Sequence, residues 1–379
     1  MREVVILGVG MHKFGRFPGK TFEELARDAI RAAMKDAGVT WKDIQALYAG
    51  HSYSGTGAGC TVANQMGLTA IPVINIELGC TTGIGIVGLA YQAIAGGFYD
   101  VVCAVGFEKI PKGILPADEF PQWSRVTGIA LYPVLYAWLA QRFMRDYGVT
   151  REQMAKVSIK SHNNAALNPY AHYRDNANLT VEDVLNSRMI ADPITVLQIA
   201  PVSEGAVATI LGAKEIAHRF PDARPINLAS FALRTAGYVH PYSFIDFIPQ
   251  VAKQGRAAAF EAYEKAGVGP EDLDVVACHD AYTIAEMEDY QVLDLCPEGE
   301  CGKLVDEGAT EITGRIPVNT DGGMLSRGNV IGACAMASLA EVVWQLRGEA
   351  GPRQVKDPKV GLVYAVGIGP VIGAAILKK

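Results

Sequence analysis

VINIELGCTTGIGIVGLAYQAIAGGFYDVVCAVG, residues 73–106, is the stretch on which the fold turns. It reads as a strand, a sharp turn at Gly79-Cys80, a helix and a second strand, with no charged residue between Glu77 and Asp100. A helix without charge has no face to offer water, so it must be buried on most sides. Its start would then project Cys80 from the end of a buried helix, with unpaired backbone N–H groups directed at the sulfur.

Residues 314–348, GRIPVNTDGGMLSRGNVIGACAMASLAEVVWQLRG, repeat this grammar. A glycine-rich turn leads through Gly328-Asn329 into another helix that opens on small, uncharged residues, which sets Cys80 and Asn329 at matching points. Two further correspondences run along the chain. ARDAIRAAMKDAGVTWKDIQALYAG, ending at Gly50, aligns with GRAAAFEAYEKAGVGPEDLDVVACH, ending at His279, at an offset of 229 residues. VVCAVGFE (101–108) aligns with LVYAVGIG (362–369) at an offset of 261. The chain therefore reads as two similar α/β halves, 1–220 and 221–379, that pack together because each has a sheet needing cover.

Outward from these halves, Thr21-Phe-Glu-Glu24 offers a capping box for an amphipathic helix that Gly38 closes. The stretch from about 110 to 200 has no counterpart in the second half. It is rich in Tyr, Asn, Arg and Met and reads as an insertion over one face of the core, a common source of ligand walls.

The 379 residues, 50% hydrophobic and 20% charged, suffice for one large core or two fused ones. A net charge of −6 supplies no global positive field for nucleic acid. The apolar runs are broken well short of the roughly 20 residues that a membrane helix needs. MREVVILGVG runs straight into a strand pattern without a secretion signal, and the seven scattered cysteines fit reduced thiols, so a cytoplasmic location is expected.

Chemistry centres on Cys80. A free thiol of pKa about 8.5 is only about 3% ionised at pH 7, and half-ionisation needs about 2 kcal/mol, the upper edge of what a helix N-terminus supplies. A further polar partner is expected. The plain alternative is a small buried hydrophobe, which most cysteines are. Asn329 can hydrogen-bond a carbonyl or a sulfur but cannot take a proton, and serves equally well as an N-cap. In ACHDAYTIAEMEDYQ (277–291), His279 follows a strand end, where ligands collect in α/β sheets, and Tyr282 is expected one helical turn on. The Gly367-Ile-Gly369 turn allows close backbone approach and an oxyanion-directed N–H. Cys296 and Cys301 have a loose metal-like spacing but no second pair, so they read as a surface turn, and no metal site is expected. His12, His51 and His240 have no spacing that marks a site.

IELGCTTG (76–83), HDAYT (279–283), NTDGG (319–323) with SRGNVIGA (326–333), and AVGIGP (365–370) together resemble the thiolase superfamily over nearly the whole chain. LNPYAHY (167–173) and CPEGE (296–300) are similar to its sterol-carrier-protein-type (SCP2) branch. The resemblance implies a five-layered αβαβα fold of two halves with an inserted loop domain. It also implies acylation of Cys80 by a 3-oxoacyl-CoA, a thioester oxygen held by His279, and backbone N–H groups of Cys80 and Gly367 as an oxyanion hole. Four positions depart from the family pattern. Its activating histidine is Asn329 here, with Val330 after it, and its acid/base cysteine is missing from both usual places, which are Ala281 and Ala365. His279 remains as the proton carrier, with Tyr282 and Cys334 as substitutes.

The expected activity is acyl-CoA C-acyl transfer, cleaving a 3-oxoacyl-CoA with coenzyme A as co-substrate and no covalently bound cofactor. A bulky or aromatic substrate such as benzoylsuccinyl-CoA is in view. The alternatives are a retro-aldolase or hydroxyacyl-CoA lyase on the same scaffold, and a non-catalytic CoA- or lipid-binding subunit. Relatives of this branch form homodimers, and some pair with a small zinc-ribbon/OB-fold (DUF35-type) subunit. The retro-aldolases among them lack the nucleophilic cysteine, so Cys80 favours thiolysis.

Overall fold

The computed structural model describes residues 1–67, 69–111, 113, 120, 122–236 and 247–379; His240 and part of the start of the expected insertion lie outside them. The first half runs β1 (Val4–Met11), α1 (Phe22–Ala37), β2 (Leu47–Gly50), α2 (Ala58–Met66), β3 (Val73–Ile76), α3 (Thr82–Ala95) and β4 (Val101–Glu108). The insertion follows with α4 (Gln122–Val126), α5 (Tyr132–Tyr147), α6 (Arg151–Ala166), α7 (Val181–Asn186) and the hairpin β5 (Met189–Ala191) and β6 (Ile194–Thr195). β7 (Gly205–Ala213) then returns the chain to the sheet. The second half comprises β8 (Ile226–Thr235), α8 (Phe247–Ala266), β9 (Val275–Ala277), α9 (Thr283–Val292), α10 (Cys301–Asp306), α11 (Cys334–Arg347), β10 (Val360–Val366) and β11 (Val371–Lys378).

The strands are ordered β3-β2-β4-β7-β1-β8-β11-β10-β9. Among the described residues, the two half-sheets join through a short β1–β8 pairing, Val5 opposite Asn227 and Ile6 opposite Ile226. Their topologies match strand for strand. β2 pairs in parallel with β3 and β4, and β9 pairs in parallel with β10 and, through a single bridge from Val276, with Val318. The repeats at offsets 229 and 261 therefore superpose β2 on β9 and β4 on β10.

α3 and α11 lie together between the half-sheets, and their side chains fill one core with residues from both, including Ile86, Val102, Leu339 and Val363. α3 carries no charge, and the two charged residues of α11 are paired, Glu341 with Arg353 and Arg347 with Asp36, which is what permits this burial. A Cβ at Gly83 would come within 2.5 Å of the Met336 nitrogen, so glycine sets how closely α3 can approach α11. α1 covers the outer face of the first half-sheet and α8 with α9 that of the second. The result is the expected αβαβα layering.

α1 forms as its sequence dictates. Thr21 Oγ1 accepts from the Glu24 N–H at 3.3 Å, the Glu24 carboxylate accepts from the Thr21 N–H at 2.9 Å, and Gly38 closes the helix at φ +64°. The insertion packs α5 and α6 on the second half, beside α9, so a segment of one half walls the site of the other. The segment between Cys296 and Cys301 is the surface turn expected, with Pro297, Glu298 and Glu300 exposed, while the two cysteine side chains at its ends are buried. One expectation fails. Asn329 is not an N-cap, because α11 begins only at Cys334, after a wide π-type turn at Gly323–Arg327.

Candidate functional site

Between the insertion and the second half lies a cavity of about 740 Å³, and Cys80, His279, Tyr282, Asn329 and Gly367 all line it. The five come from four separate parts of the sequence, and the topology gathers them where the two halves meet.

Cys80 sits in a single 3₁₀ turn, Gly79–Thr81, that runs into α3. Gly79 has φ +56°, and a Cβ there would overlap the Ile368 nitrogen. A Cβ at Gly367 would overlap the Leu78 carbonyl in turn. Thr81 Oγ1 donates to the Val371 carbonyl at 2.8 Å, so the loop before α3 and the β10–β11 turn are locked together. Glycine at both positions allows the two backbones this proximity.

The thiol is 5% exposed and lines the cavity, yet its pKa is raised, not lowered as the helix start suggests. The largest cause is a hydrogen bond with the Cys334 thiol, followed by burial; a hydrogen bond from the Asn329 amide opposes both. The helix-end effect is a fraction of a kcal/mol to about 2 kcal/mol, too small to offset burial and a second thiol together. In the free site the sulfur is a thiol.

Asn329 supplies the polar partner that the sulfur requires. Its Oδ1 is buried without a hydrogen-bond partner, leaving an acceptor at the cavity wall. Its backbone is fixed by the Asn329 N–H to Pro201 O at 2.9 Å and by Ser203 N–H to its own carbonyl at 2.8 Å. Arg327, fully buried, pairs with Asp321 and donates to the Cys334 carbonyl at 3.1 Å, holding the π-type turn against the start of α11.

His279 is 5% exposed, and burial pushes its pKa down to about 3. The imidazole is neutral at physiological pH, able to donate or accept a hydrogen bond but carrying no spare proton. Its backbone N–H donates to Asp289 at 3.0 Å. The next residue, Asp280, accepts from the Met324 and Leu325 N–H groups at 2.7 and 3.2 Å, tying His279 to the turn that leads to Asn329. Tyr282 caps α9 rather than lying within a helical turn of His279, and its ring stacks on Tyr136 at 4.1 Å. Burial raises both phenols above their ordinary range.

Two expected participants are displaced from the chemistry. The Gly367 N–H donates to the Val371 carbonyl at 2.7 Å within the β10–β11 turn, so it is not a free oxyanion donor. Cys334 touches Cys80 but does not line the cavity; its thiol donates to the carbonyls of Cys80 and Ile331 at 3.2 and 3.4 Å. It supports the sulfur from behind instead of facing a substrate.

The sequence models described as thiolase N-terminal domain and thiolase C-terminal domain-like match residues 4–210 and 246–377. The acetyl-CoA acetyltransferase of Methanothermobacter thermautotrophicus is 36% identical over 97% of both chains. The BbsB subunit of benzoylsuccinyl-CoA thiolase from Thauera aromatica is 34% identical over 97% of this chain and 95% of that one. A solved structure described as an Ltp2-ChsH2(DUF35) aldolase superposes with a TM-score of 0.85 at 26% identity, covering 99% of this chain and 97% of the other.

The chain belongs to the thiolase family.

It is a thiolase-type acyltransferase, and against that family's pattern the cavity is short of acid/base groups. Ala281 lines the wall where a thiol is expected, and Ala365 is buried in β10. Sequence reasoning missed several supporting residues. Lys160, from the insertion, pairs with Glu286; Glu286 accepts from Asn319 Nδ2 at 2.7 Å, and Asn319 Oδ1 accepts the Cys278 N–H at 3.0 Å. This buried network fixes the strand end that carries His279. It also missed Glu288 on the cavity wall, where burial pushes the carboxyl up to about 8. Among the described residues, no group of three or more His, Cys, Asp or Glu side chains gathers to hold a metal ion, and no helix is long and apolar enough to cross a membrane.

Proposed function

We propose that this thiolase cleaves a 3-oxoacyl-CoA with coenzyme A through an acyl-enzyme on Cys80, and that the acyl group is bulky. The observation that carries the reading is the convergence of the Cys80 thiol, the Asn329 amide and the neutral His279 imidazole on one cavity. Burial disfavours a resting thiolate–imidazolium pair, so attack and proton transfer proceed together: as sulfur bonds to the 3-oxo carbon, its proton passes to His279. The C2–C3 bond then breaks, the enolate of the shorter thioester takes the proton back at C2, and free CoA removes the acyl group from sulfur. Asn329 Nδ2 and the Cys80 N–H are donors for the charge that develops on oxygen.

A cavity of about 740 Å³ with the stacked Tyr136–Tyr282 pair on its wall favours a large, ring-bearing acyl group over acetyl alone. Arg16 and the exposed Arg188, just before β5, line the same cavity and offer positive charge for the phosphates of coenzyme A. No covalently held cofactor enters this scheme. A homodimer and a small zinc-ribbon/OB-fold subunit complete the assembly we propose, the latter on the likeness to the DUF35 aldolase structure. The described cysteines form no disulfide, which is compatible with a reducing cytoplasm.

The test is to incubate the protein with a 3-oxoacyl-CoA, without free CoA, and map the acylated peptide by mass. Acyl label on Cys80, absent in C80A, is expected. Turnover without label on Cys80 rejects the reading in favour of retro-aldol cleavage with Tyr282 as base, which the same aldolase likeness supports. Neither label nor turnover, with and without the second subunit, leaves a CoA-binding role.

A further inference from the structure

Thiolysis as proposed makes no use of one charged group on the cavity wall. Where α5 and α9 run side by side, the wall is apolar and aromatic, formed by Leu135, Tyr136, Leu139 and Tyr282, and Glu288 is the one carboxylate among the described lining residues. Among those residues it forms no hydrogen bond or ion pair. The cation it senses, Arg142, is held by Asp146 at 3.4 Å. The residue is partly exposed and contributes to the cavity lining.

Glu288 is set back from the reacting sulfur. His279, Ala281 and Tyr282 precede the first turn of α9, whereas Glu288 lies five residues after Thr283, about 7.5 Å further along the helix axis. Tyr136, stacked on Tyr282, lines the same cavity as Cys80 and Glu288 and is near enough to both to feel their charge. An acyl chain bonded to Cys80 and running past the tyrosine pair therefore reaches Glu288 with its far end.

A plain hydrocarbon there would strip water from the carboxyl and return no hydrogen bond, whereas an oxygen function would satisfy it. We propose that Glu288 recognises a hydroxyl or keto oxygen carried by the acyl group at the end remote from the thioester. The substrate class is then a ring-bearing 3-oxoacyl-CoA with a distal oxygen. This inference rests on the acyl-transfer reading above and narrows its substrate.

The experiment compares a cyclohexyl-terminated 3-oxoacyl-CoA with its ring-hydroxylated counterpart, on the wild-type chain and on E288L and E288Q. Wild type is expected to favour the hydroxylated thioester by about tenfold or more in kcat/KM, because a site built to hydrogen-bond a hydroxyl rejects the analogue lacking it. E288L should reverse the preference, and E288Q, which keeps the shape of the side chain, should lower it several-fold. An unchanged ratio in both variants, or no preference in wild type, overturns the inference. Intact-mass detection of acylated wild-type Cys80 reports separately on the underlying reaction. If no acyl-enzyme forms, that reaction falls, and the preference is read under the same criterion as the ratio of the two thioesters' dissociation constants.

Discussion

The two helices at the centre of the molecule begin differently, and the reactive site lies in that difference. α3 is entered through one tight turn that leaves Cys80 on the cavity wall. α11 is entered through a π-type turn that sets Asn329 five residues ahead of the first helical residue. That first residue is Cys334, and its thiol is turned away from the cavity onto the Cys80 carbonyl. Two halves of one design thus present a nucleophile from one and its hydrogen-bonding partner from the other. Duplication supplied matching positions, and the extra turn in the second copy made them complementary rather than equivalent.

The sharpest way to break this comparison is to remove the sulfur that faces the cavity. C80A should lower thiolysis at least about a thousand-fold and abolish acyl-enzyme formation, as loss of a covalent nucleophile does. Single-turnover thioester cleavage with mass detection measures it. Residual activity within tenfold of wild type would mean that the halves do not divide their roles in this way.

Next is the pair that keeps the second entry turn in place. R327M leaves Asp321 buried and unpaired, at a cost of about 3–5 kcal/mol, the usual penalty for breaking a buried ion pair. Chemical denaturation should show it as a fall in midpoint with an unchanged slope. R327M/D321N, which removes both charges, should recover part of the loss. N329A tests the product of that turn: removing one oxyanion-type donor costs about a hundred-fold in kcat. It should also move the pH profile of Cys80 alkylation upward, because the amide is the contact that lowers the thiol's pKa.

Much of this was legible in the sequence, for reasons that can be traced to particular residues. The α1 capping box is a local signal four residues long, and the charge-free run of α3 reports burial whatever the surrounding topology. Cys80 and Asn329 were recognisable because the repeat aligns them. What stayed hidden depends on pairings that no local pattern encodes. The Gly367 N–H looked available until the β10–β11 register gave it to Val371. Lys160 read as one more polar residue of the insertion, and only the packing of α6 on α9 makes it the partner of Glu286. Glu288 is one of three acids in the run EMED, and the helix phase alone separates it from Glu286, which faces the Lys160 network. The π-type turn is invisible in sequence for the same reason: SRGN is compatible with an immediate helix start, and the buried Arg327–Asp321 pair decides otherwise.

The mildest perturbation addresses the cysteine that stands behind. If Cys334 were the acid/base group, C334A would be nearly as damaging as C80A. Its thiol lies off the cavity, so kcat should instead fall less than about tenfold, the scale of a packing change behind a reacting group. A second readout separates positioning from mere structure. The Cys334 thiol is the largest cause of the raised Cys80 pKa, and removing it lowers that pKa. The fraction of thiolate at any pH below the pKa therefore rises, and the alkylation profile of Cys80 moves toward lower pH, opposite to N329A. Peptide mapping of iodoacetamide adducts reads this directly, with the exposed Cys60 as an internal reference whose rate should not change. A shift of the Cys80 profile in the same direction for both variants would show that the two helix starts do not act on the sulfur with opposite sign.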